Sequence, residues 1–467
     1  REPRPVNPAQ MACGSRTARV PFLGGVVSAA VLYLVLEDTS LGFLAWFVLV
    51  PLFHQLWRDR DHPVARAAQG LTFGVGASWV LGRGPLVCAV LGLHVALFAW
   101  AAGGVLRSKR LGLGVLGLAV LWAGFELIRG SYSPFSASLD AACLSTAALL
   151  VPSSPECRVA SLIGAAGLSL AIALTSSLFA ATLRQERLPR RLGCAAAGCL
   201  IPLALRALGG GLGTPGQPSP PLCLIVAALD ECRPASLEEL IRPLVDPPPD
   251  AMIAAGRSTP TDPGGASDSW GGVATRARTK LLVGCASDDP AHEPLPARRS
   301  SEGIRVAAFG AGGTPEALPT GQHPPAGESV LSLPAGALGV GAGHDFDGPL
   351  FARRLAARAS ALVDFASPAP SLPPHAERHR ERAHALRAVE NGRWTVFLSG
   401  LVGIGYGPDG EENFRFDSFE AAGRMNLEAR AGSTSYGRWG WMLEPVLIAA
   451  AAALAVGGFR RPRLFRS

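Results

Sequence analysis

Long apolar runs constrain this 467-residue chain more than any other feature of its sequence. A helix that crosses a bilayer needs roughly 17–25 predominantly apolar residues. Such runs lie at 20–37, 41–57, 67–83, 85–106, 111–128, 159–183, 192–208 and 441–458. We therefore predict a polytopic membrane domain of about seven helices in residues 20–208, and one further transmembrane helix at 441–458.

The loops between these runs fall into two groups by their content of Lys and Arg. The basic segments are the N-terminal tail (1–19), RDRDHPVAR, RSKR, RQERLPRR and the C-terminal tail (459–467). In an eight-span arrangement all five lie on one side, and cytoplasmic loops are the ones enriched in basic residues. The sequence thus predicts a multi-pass protein of a bacterial inner membrane, with cytoplasmic tails and a periplasmic insert at 209–440.

The net charge and the cysteine spacing limit which kinds of ligand we expect. The formal charge of +7 comes largely from arginines at the ends of apolar runs, which is typical of topology signals, so we expect no nucleic-acid partner. The nine cysteines form no CxxC pair and no metal-ligand spacing, so we expect neither a metal nor another cofactor. Cys143 and Cys157 share one predicted loop, and a disulfide between them needs that loop to face an oxidising compartment.

The insert alternates strands with helices, which indicates an α/β domain. Strands are predicted at 222–230, 250–256 and 280–287, an amphipathic helix at 236–246, a helix running into a strand at 350–366, and two strands at 394–411. The stretches 258–278 and 311–328, rich in Pro, Gly and Ser, predict long loops. Residues 375–394 predict a long polar helix that ends at Asn-Gly. We expect its histidines, His375, His379 and His384, to be solvated.

Several segments together resemble the apolipoprotein N-acyltransferase family. They are LWAGFELIRG (121–130), the Gly-rich helix at 162–183, ALRAVENGRW (385–394) and SGLVGIGYGPDGE (399–411). The resemblance implies eight transmembrane helices with an inserted nitrilase-like αββα sandwich. It also implies acyl transfer from a membrane phospholipid to the N-terminal diacylglyceryl-cysteine of a lipoprotein. In that reaction a cysteine forms a thioester, a glutamate acts as general base and a lysine stabilises the oxyanion.

The residues that match the family's catalytic positions are all glycines. Following the family's segments, the glutamate falls on Gly256, the lysine on Gly303 and the cysteine on Gly343. The resemblance also implies pocket residues, namely His344, Asp345, Phe309, Arg387 and Glu390. Glycine at all three positions removes side-chain volume as well as reactivity, so we predict a pseudoenzyme with a widened pocket.

Two alternatives stay open. One is an active acyltransferase or amidase-type enzyme with a relocated nucleophile. The candidates are Cys285, which follows a glycine at a predicted strand end and is the last cysteine in the sequence, and the pair His344 and Asp345. The other is a non-enzymatic protein that binds a phospholipid, a lipoprotein or another membrane protein. Lys280 is the insert's only lysine, and it opens a strand before the expected position.

Glu126 and Arg129 lie near the end of a predicted span, where charges are costly unless paired. Their spacing of three residues suits a pair on one helical face. The family resemblance also offers a contact with a lipid headgroup for these two residues.

Overall fold

The computed structural model describes most of the chain, and each statement below concerns the described residues. They are 22–108, 110–132, 145–213, 217–218, 220–231, 233–257, 266–286, 298–299, 304–312, 314–316, 330–343, 345–346, 349–366, 373–399, 402–417 and 421–459.

The apolar runs fold as helices. They are α1 (Leu23–Glu37), a 3-10 helix (Thr39–Phe47), α2 (Val50–Arg58), α3 (Pro63–Val80), α4 (Pro85–Leu106), α5 (Leu111–Leu127), the short α6 (Pro155–Arg158), α7 (Ala160–Thr182) and α8 (Leu188–Gly211). Among the described residues, six helical stretches are long and apolar enough to cross a membrane, the last of them in the closing helix (Ser435–Phe459). The count of eight spans therefore stays a prediction.

The described part of the insert forms two large β-sheets with covering helices, and a separate two-stranded sheet of β1 and β15. The strands are β1 (Gln217–Pro218), β2 (Leu222–Glu231), β3 (Ala251–Arg257), β4 (Lys280–Ala286), β5 (Arg298–Arg299), β6 (Ile304–Phe309), β7 (Pro315–Glu316), β8 (Val330–Leu333), β9 (Gly336–Ala342), β10 (Ala361–Phe365), β11 (Trp394–Leu398), β12 (Gly403–Tyr406), β13 (Glu412–Phe416), β14 (Ala421–Leu427) and β15 (Arg430–Ala431). The helices are α9 (Pro234–Ile241), α10 (Ala266–Ala277), α11 (Pro349–Ala356), α12 (Pro374–Asn391) and the closing α13 (Ser435–Phe459).

The two sheets pack face to face. The first has the order β14-β2-β3-β4-β6-β5, with β7 beside β6, and the second has the order β13-β12-β11-β10-β9-β8. Alternate residues of β2 such as Leu224 and Val226 share one core with Val340 and Val363 of the second sheet. Their neighbours in β2, such as Ile225, pack instead with α9 and α10. Helices α11 and α12 contact the second sheet, so the layers run helix, sheet, sheet, helix.

One loop prediction about the insert is wrong, and a second falls mostly outside the described residues. The stretch 258–278 contains helix α10, in which Trp270, Val273 and Ala274 are buried against the first sheet. Their spacing is helical, but the Gly-Gly pair and the serines of this segment obscure the pattern. Of the stretch 311–328, the short strand β7 is described, and most of the remainder lies outside the described residues.

The predicted solvation of the α12 histidines is also wrong. His379 is 2% exposed and His384 is fully buried. Helix α12 lies between the second sheet and the membrane helices, so both of its faces are covered despite its polar composition. The predicted end of α12 is confirmed, because Gly392 caps the helix with a left-handed backbone (φ 61°).

Cationic side chains of α12 dock the insert on the ends of membrane helices. Arg378 Nε donates to the carbonyl of Leu36 and Arg382 Nη1 to that of Val35, each at 3.3 Å. The ring of His375 bonds to the carbonyl of Val80. These carbonyls end α1 and α3, where the helix dipole favours cations.

The basic loops lie at the opposite ends of the same helices. Near the start of α3, Arg66 donates to the carbonyl of Ala99 at 3.2 Å. Arg184, which follows α7, donates to the carbonyl of Trp57 at the end of α2 at 3.0 Å. Within the molecule, the insert and the basic loops are thus at opposite ends of the helical bundle, as the loop charges predict. Their assignment to the periplasm and cytoplasm stays a prediction.

A buried ionic network joins the insert to the closing helix. Arg353 of α11 makes a bidentate ion pair with Glu444 of α13, at 2.8 and 3.2 Å, with 7% and 0% of the side chains exposed. The hydroxyl of Tyr436 donates to the same carboxylate, and the Arg353 guanidinium lies 5.2 Å from the centre of the Tyr436 ring. The ring packs against Gly164, where α7 is broken by a left-handed residue (φ 69°).

Candidate functional site

The candidate site lies at the edge where the parallel strands of both sheets end. Strands β2, β3 and β4 are parallel, and Gly256 near the end of β3 pairs with Cys285 near the end of β4. Strand β6 runs in the opposite direction, and its first residue, Ile304, pairs with Ala286. Gly303 lies outside the described residues. Strand β6 begins at Ile304, the residue after Gly303, and this start lies at the same edge as Gly256.

The second sheet brings Gly343 to this edge as well. Strands β9, β10 and β11 are parallel, and Ala342, at the end of β9, pairs with Phe365. The Phe365 ring lies so close to Gly284 in the first sheet that a side chain at Gly284 would collide with it. Gly284 precedes Cys285 and Gly343 follows Ala342, so the two sheet edges meet. The structure therefore places Gly256 and Gly343 at one edge of the sandwich, where their correspondence to catalytic positions stays a prediction.

Gly343 forms a tight elbow held by three hydrogen bonds. Its φ of 71° lies in the left-handed region that favours glycine. Its N–H donates to the carbonyl of Phe365 at 2.6 Å, and its own carbonyl accepts from Arg380 Nη2 at 2.7 Å. The N–H of Ala342 donates to the Asp345 carboxylate at 3.0 Å. Asp345 thus braces the elbow, and its predicted partner His344 lies outside the described residues.

A buried aspartate and histidine support the elbow from behind, and the sequence analysis missed them. His384 Nε2 lies 2.6 Å from Asp364 Oδ2, and neither side chain is exposed. His384 Nδ1 lies 2.8 Å from the carbonyl of Arg380, the residue that holds Gly343. Both ring nitrogens contact oxygen atoms of the protein, so neither is turned toward a substrate.

One signal in the sequence pointed to this pair. Asp364 is the single acid in ALVDF, a strand whose five residues are all buried. Buried carboxylates are found almost only with a partner. The partner is 20 residues further along the chain, on a helix that reads as solvated, so the sequence did not identify it.

The other predicted pocket residues lie elsewhere. Phe309 ends β6, away from the edge, and is buried with Leu281 and Trp270 under the outer helices. Arg387 and Glu390 face the membrane helices, where Arg387 Nη1 lies 2.9 Å from Glu390 Oε2. Glu390 also accepts from the N–H of Ala165, directly after the break in α7. Burial raises the pKa of Glu390, with Arg387 opposing that shift.

Glu126 is held by protein groups rather than presented to lipid. Its carboxylate accepts from the Thr146 hydroxyl at 3.0 Å and from the Thr146 N–H. Glu126 and Arg387 line one cavity of about 30 Å³, which is room for a water molecule or two. Arg129 lies one turn beyond Glu126 and is 5% exposed.

The candidate substitutes for the missing lysine and cysteine differ in position. Lys280 is the first residue of β4, at the opposite end from Cys285, and its Nζ pairs with Glu316 at 2.7 Å. Cys157 is 1% exposed and burial raises the pKa of its thiol to about 12, so it is protonated at neutral pH. Its predicted disulfide partner, Cys143, lies outside the described residues. Of the insert's described cysteines, Cys285 lies at the site edge, in register between Gly256 and Arg305.

Part of the membrane region matches a known protein domain. Residues 28–178 match the model of the apolipoprotein N-acyltransferase N-terminal domain. This part of the chain is similar to that domain. No curated protein sequence matches the chain.

The insert is similar to solved proteins of the nitrilase superfamily. One is an amidase from Nesterenkonia sp. AN1 in complex with butyramide, 15% identical, with 47% of this chain and 94% of the amidase covered at a TM-score of 0.33. Another is a carbon-nitrogen hydrolase from Helicobacter pylori G27, 12% identical, with 52% of this chain and 96% of the hydrolase covered at a TM-score of 0.34.

Proposed function

We propose that this protein is a membrane-anchored pseudoenzyme of the apolipoprotein N-acyltransferase type, in the inner membrane of a bacterium with its sandwich domain in the periplasm. It binds an acylated ligand, a phospholipid or the lipidated end of a lipoprotein, without forming a thioester. The observation that carries the proposal is the elbow. Its shape is fixed by Phe365, Arg380 and Asp345, yet its tip is Gly343, which has no side chain to attack an ester.

Loss of the three side chains is enough to remove the family reaction. A thioester needs a thiolate at the elbow, and no cysteine follows residue 285 in the chain. A base and an oxyanion-stabilising cation lower the barrier of the same step, so the three groups act as one unit. The retained elbow supports a binding role, because a fold that served only as an anchor would not require this constrained turn.

The first test is an acyl-transfer assay. We expect membranes that contain the full chain, from a strain depleted of its own N-acyltransferase, to leave a diacylglyceryl lipoprotein without a third acyl chain. The mass of the N-terminal peptide gives the readout, and the host's N-acyltransferase expressed from the same vector is the positive control. Acylation above that of membranes lacking the chain would overturn the pseudoenzyme proposal.

The register of Cys285 favours a second candidate, an enzyme with a relocated nucleophile at the same edge. If acylation is found, Cys285→Ala is expected to abolish it. Cys223→Ala is the matched control, because Cys223 lies near the start of β2, away from the edge. Equal activity of the two variants would exclude Cys285 as the nucleophile.

The binding half of the proposal has its own test. We expect a fluorescent diacylglyceryl lipopeptide to bind the purified full chain saturably in detergent. Gly256→Phe should weaken this binding at least about tenfold, because a ring at the strand end fills the space from which the ligand is recognised. Gly312→Phe is the control, since Gly312 is exposed with open space around it. Equal binding by both variants would place the ligand elsewhere.

A further inference from the structure

The start of the closing helix α13 exposes two tryptophans. Trp439 is 63% exposed and Trp441 is 62% exposed, and Arg438 beside them is exposed too. The helix is one of the candidate membrane spans. Exposed tryptophans near the end of a span are typical of the membrane–water interface, where the ring spans apolar and polar surroundings. The headgroup layer therefore lies at the level of residues 438–441.

Helix α11 of the sandwich domain reaches into this same layer. Its Arg353 binds Glu444, which follows Trp441 by three residues and so lies about 4.5 Å deeper along the helix axis. Arg354, the next residue of α11, is exposed, and so is Arg358 directly after the helix. The segment that binds Glu444 thus presents two exposed cations.

These arginines have no carboxylate partner among the described residues. Arg354 and Arg358 form no ion pair there, and Arg438 Nε donates to the hydroxyl of Ser433 at 3.0 Å. These three exposed cations, without a carboxylate partner to neutralise them, add positive charge to the part of the molecule near the start of α13. Anionic headgroups attract such juxtamembrane cations at short range.

We propose that Arg354, Arg358, Arg438, Trp439 and Trp441 form an interfacial belt that binds anionic phospholipid headgroups in the leaflet facing the sandwich domain. The arginines pair with the headgroup phosphates and the two rings pack among the adjoining acyl and glycerol groups. Because Arg353 and Glu444 connect the belt to α11, bound anionic lipid holds the sandwich domain at a fixed height over the membrane. The belt is separate from the Gly343 edge and does not depend on whether acyl transfer occurs.

The test measures how lipid stabilises the full chain in neutral detergent. We expect the unfolding temperature to rise with added dioctanoyl phosphatidylglycerol, but not with dioctanoyl phosphatidylcholine or inorganic phosphate at equal concentrations. Each arginine removed should raise the apparent dissociation constant for phosphatidylglycerol about fivefold at low ionic strength. Arg354→Gln with Arg438→Gln should therefore raise it about 25-fold.

The matched control replaces two exposed arginines far from the membrane. Arg242 and Arg278 lie beside α9 and α10, the layer on the other side of the two sheets, so Arg242→Gln with Arg278→Gln should leave the lipid effect unchanged. An unchanged dissociation constant in the belt variant, or an equal rise with inorganic phosphate, would overturn the proposal. If the belt variant does not fold, the test uses the wild-type protein. Its rise in unfolding temperature with phosphatidylglycerol must then become smaller as the salt concentration increases.

Discussion

Replacing Glu444 with alanine is expected to lower the free energy of unfolding by about 3–5 kcal/mol. The substitution leaves the Arg353 guanidinium, 7% exposed, without its bidentate partner between the sandwich domain and the closing helix. It also removes the acceptor of the Tyr436 hydroxyl, whose ring packs at the break in α7. A buried cation without a counter-ion is the main cost, because desolvation is no longer offset. Denaturant unfolding of the full chain in detergent micelles gives the measurement.

Two comparisons separate this effect from a general loss of surface charge. Glu238→Ala removes the partner of Arg276 in an exposed ion pair, and we expect it to cost less than about 1 kcal/mol. The double variant Arg353→Ala with Glu444→Ala should cost less than the sum of its single substitutions, because neither charge is left unpaired. A Glu444→Ala effect no larger than that of Glu238→Ala would contradict the proposed role of the network.

The parts of the fold that the sequence predicts are those in which one physical cause dominates. Continuous apolar runs such as 85–106 admit few structures other than a membrane helix, and α4 occupies that range. The loop charges predict that the insert and the basic loops lie on opposite sides, and Arg378 and Arg184 contact opposite ends of the helical bundle. Glycine after Asn391 ends α12 because few other residues adopt the left-handed conformation.

The sequence fails where a polar residue finds its partner far along the chain. Helix α12 carries Arg, Glu and His on all sides, and this composition predicts a solvated helix. Its actual partners are carbonyls at the ends of α1 and α3, roughly 300 residues earlier, such as the Val80 carbonyl that meets His375. Local pattern contains no information on that docking. The same holds for Glu390, which was predicted to line the pocket and instead binds the N–H of Ala165.

The sequence indicates the position of the candidate site, but not the side chains that hold the elbow in place. The glycines at 256 and 343 do come to one sandwich edge, which the strand order and the contact between Gly284 and Phe365 establish. Asp345 braces the elbow from within the segment matched to the catalytic cysteine, whereas Arg380, His384 and Asp364 lie outside the segments that carry the family resemblance to the catalytic positions. A retained elbow with an uncharged tip is the reason that binding, rather than chemistry, is the proposed role of this edge.

Replacing Asp364 with alanine is expected to cost about 3–5 kcal/mol and to loosen the elbow as well. The change leaves His384, fully buried, with one acceptor instead of two. The ring is then held at Nδ1 alone, and any shift of the ring moves the Arg380 carbonyl that it contacts. Because the Arg380 guanidinium donates to the Gly343 carbonyl, the elbow loses a fixed contact. We therefore expect lipopeptide binding to weaken together with stability.

A second variant distinguishes loss of the elbow's support from general destabilisation. Asp364→Val with His384→Leu replaces both members by apolar groups, which is often nearly neutral for a buried pair, so most of the stability should return. The contact of Nδ1 with the Arg380 carbonyl is nevertheless absent in this variant. If the pair positions the elbow, lipopeptide binding stays weak although the fold is restored. If binding returns with stability, Asp364 and His384 serve the core alone, and Arg380 holds Gly343 without their help.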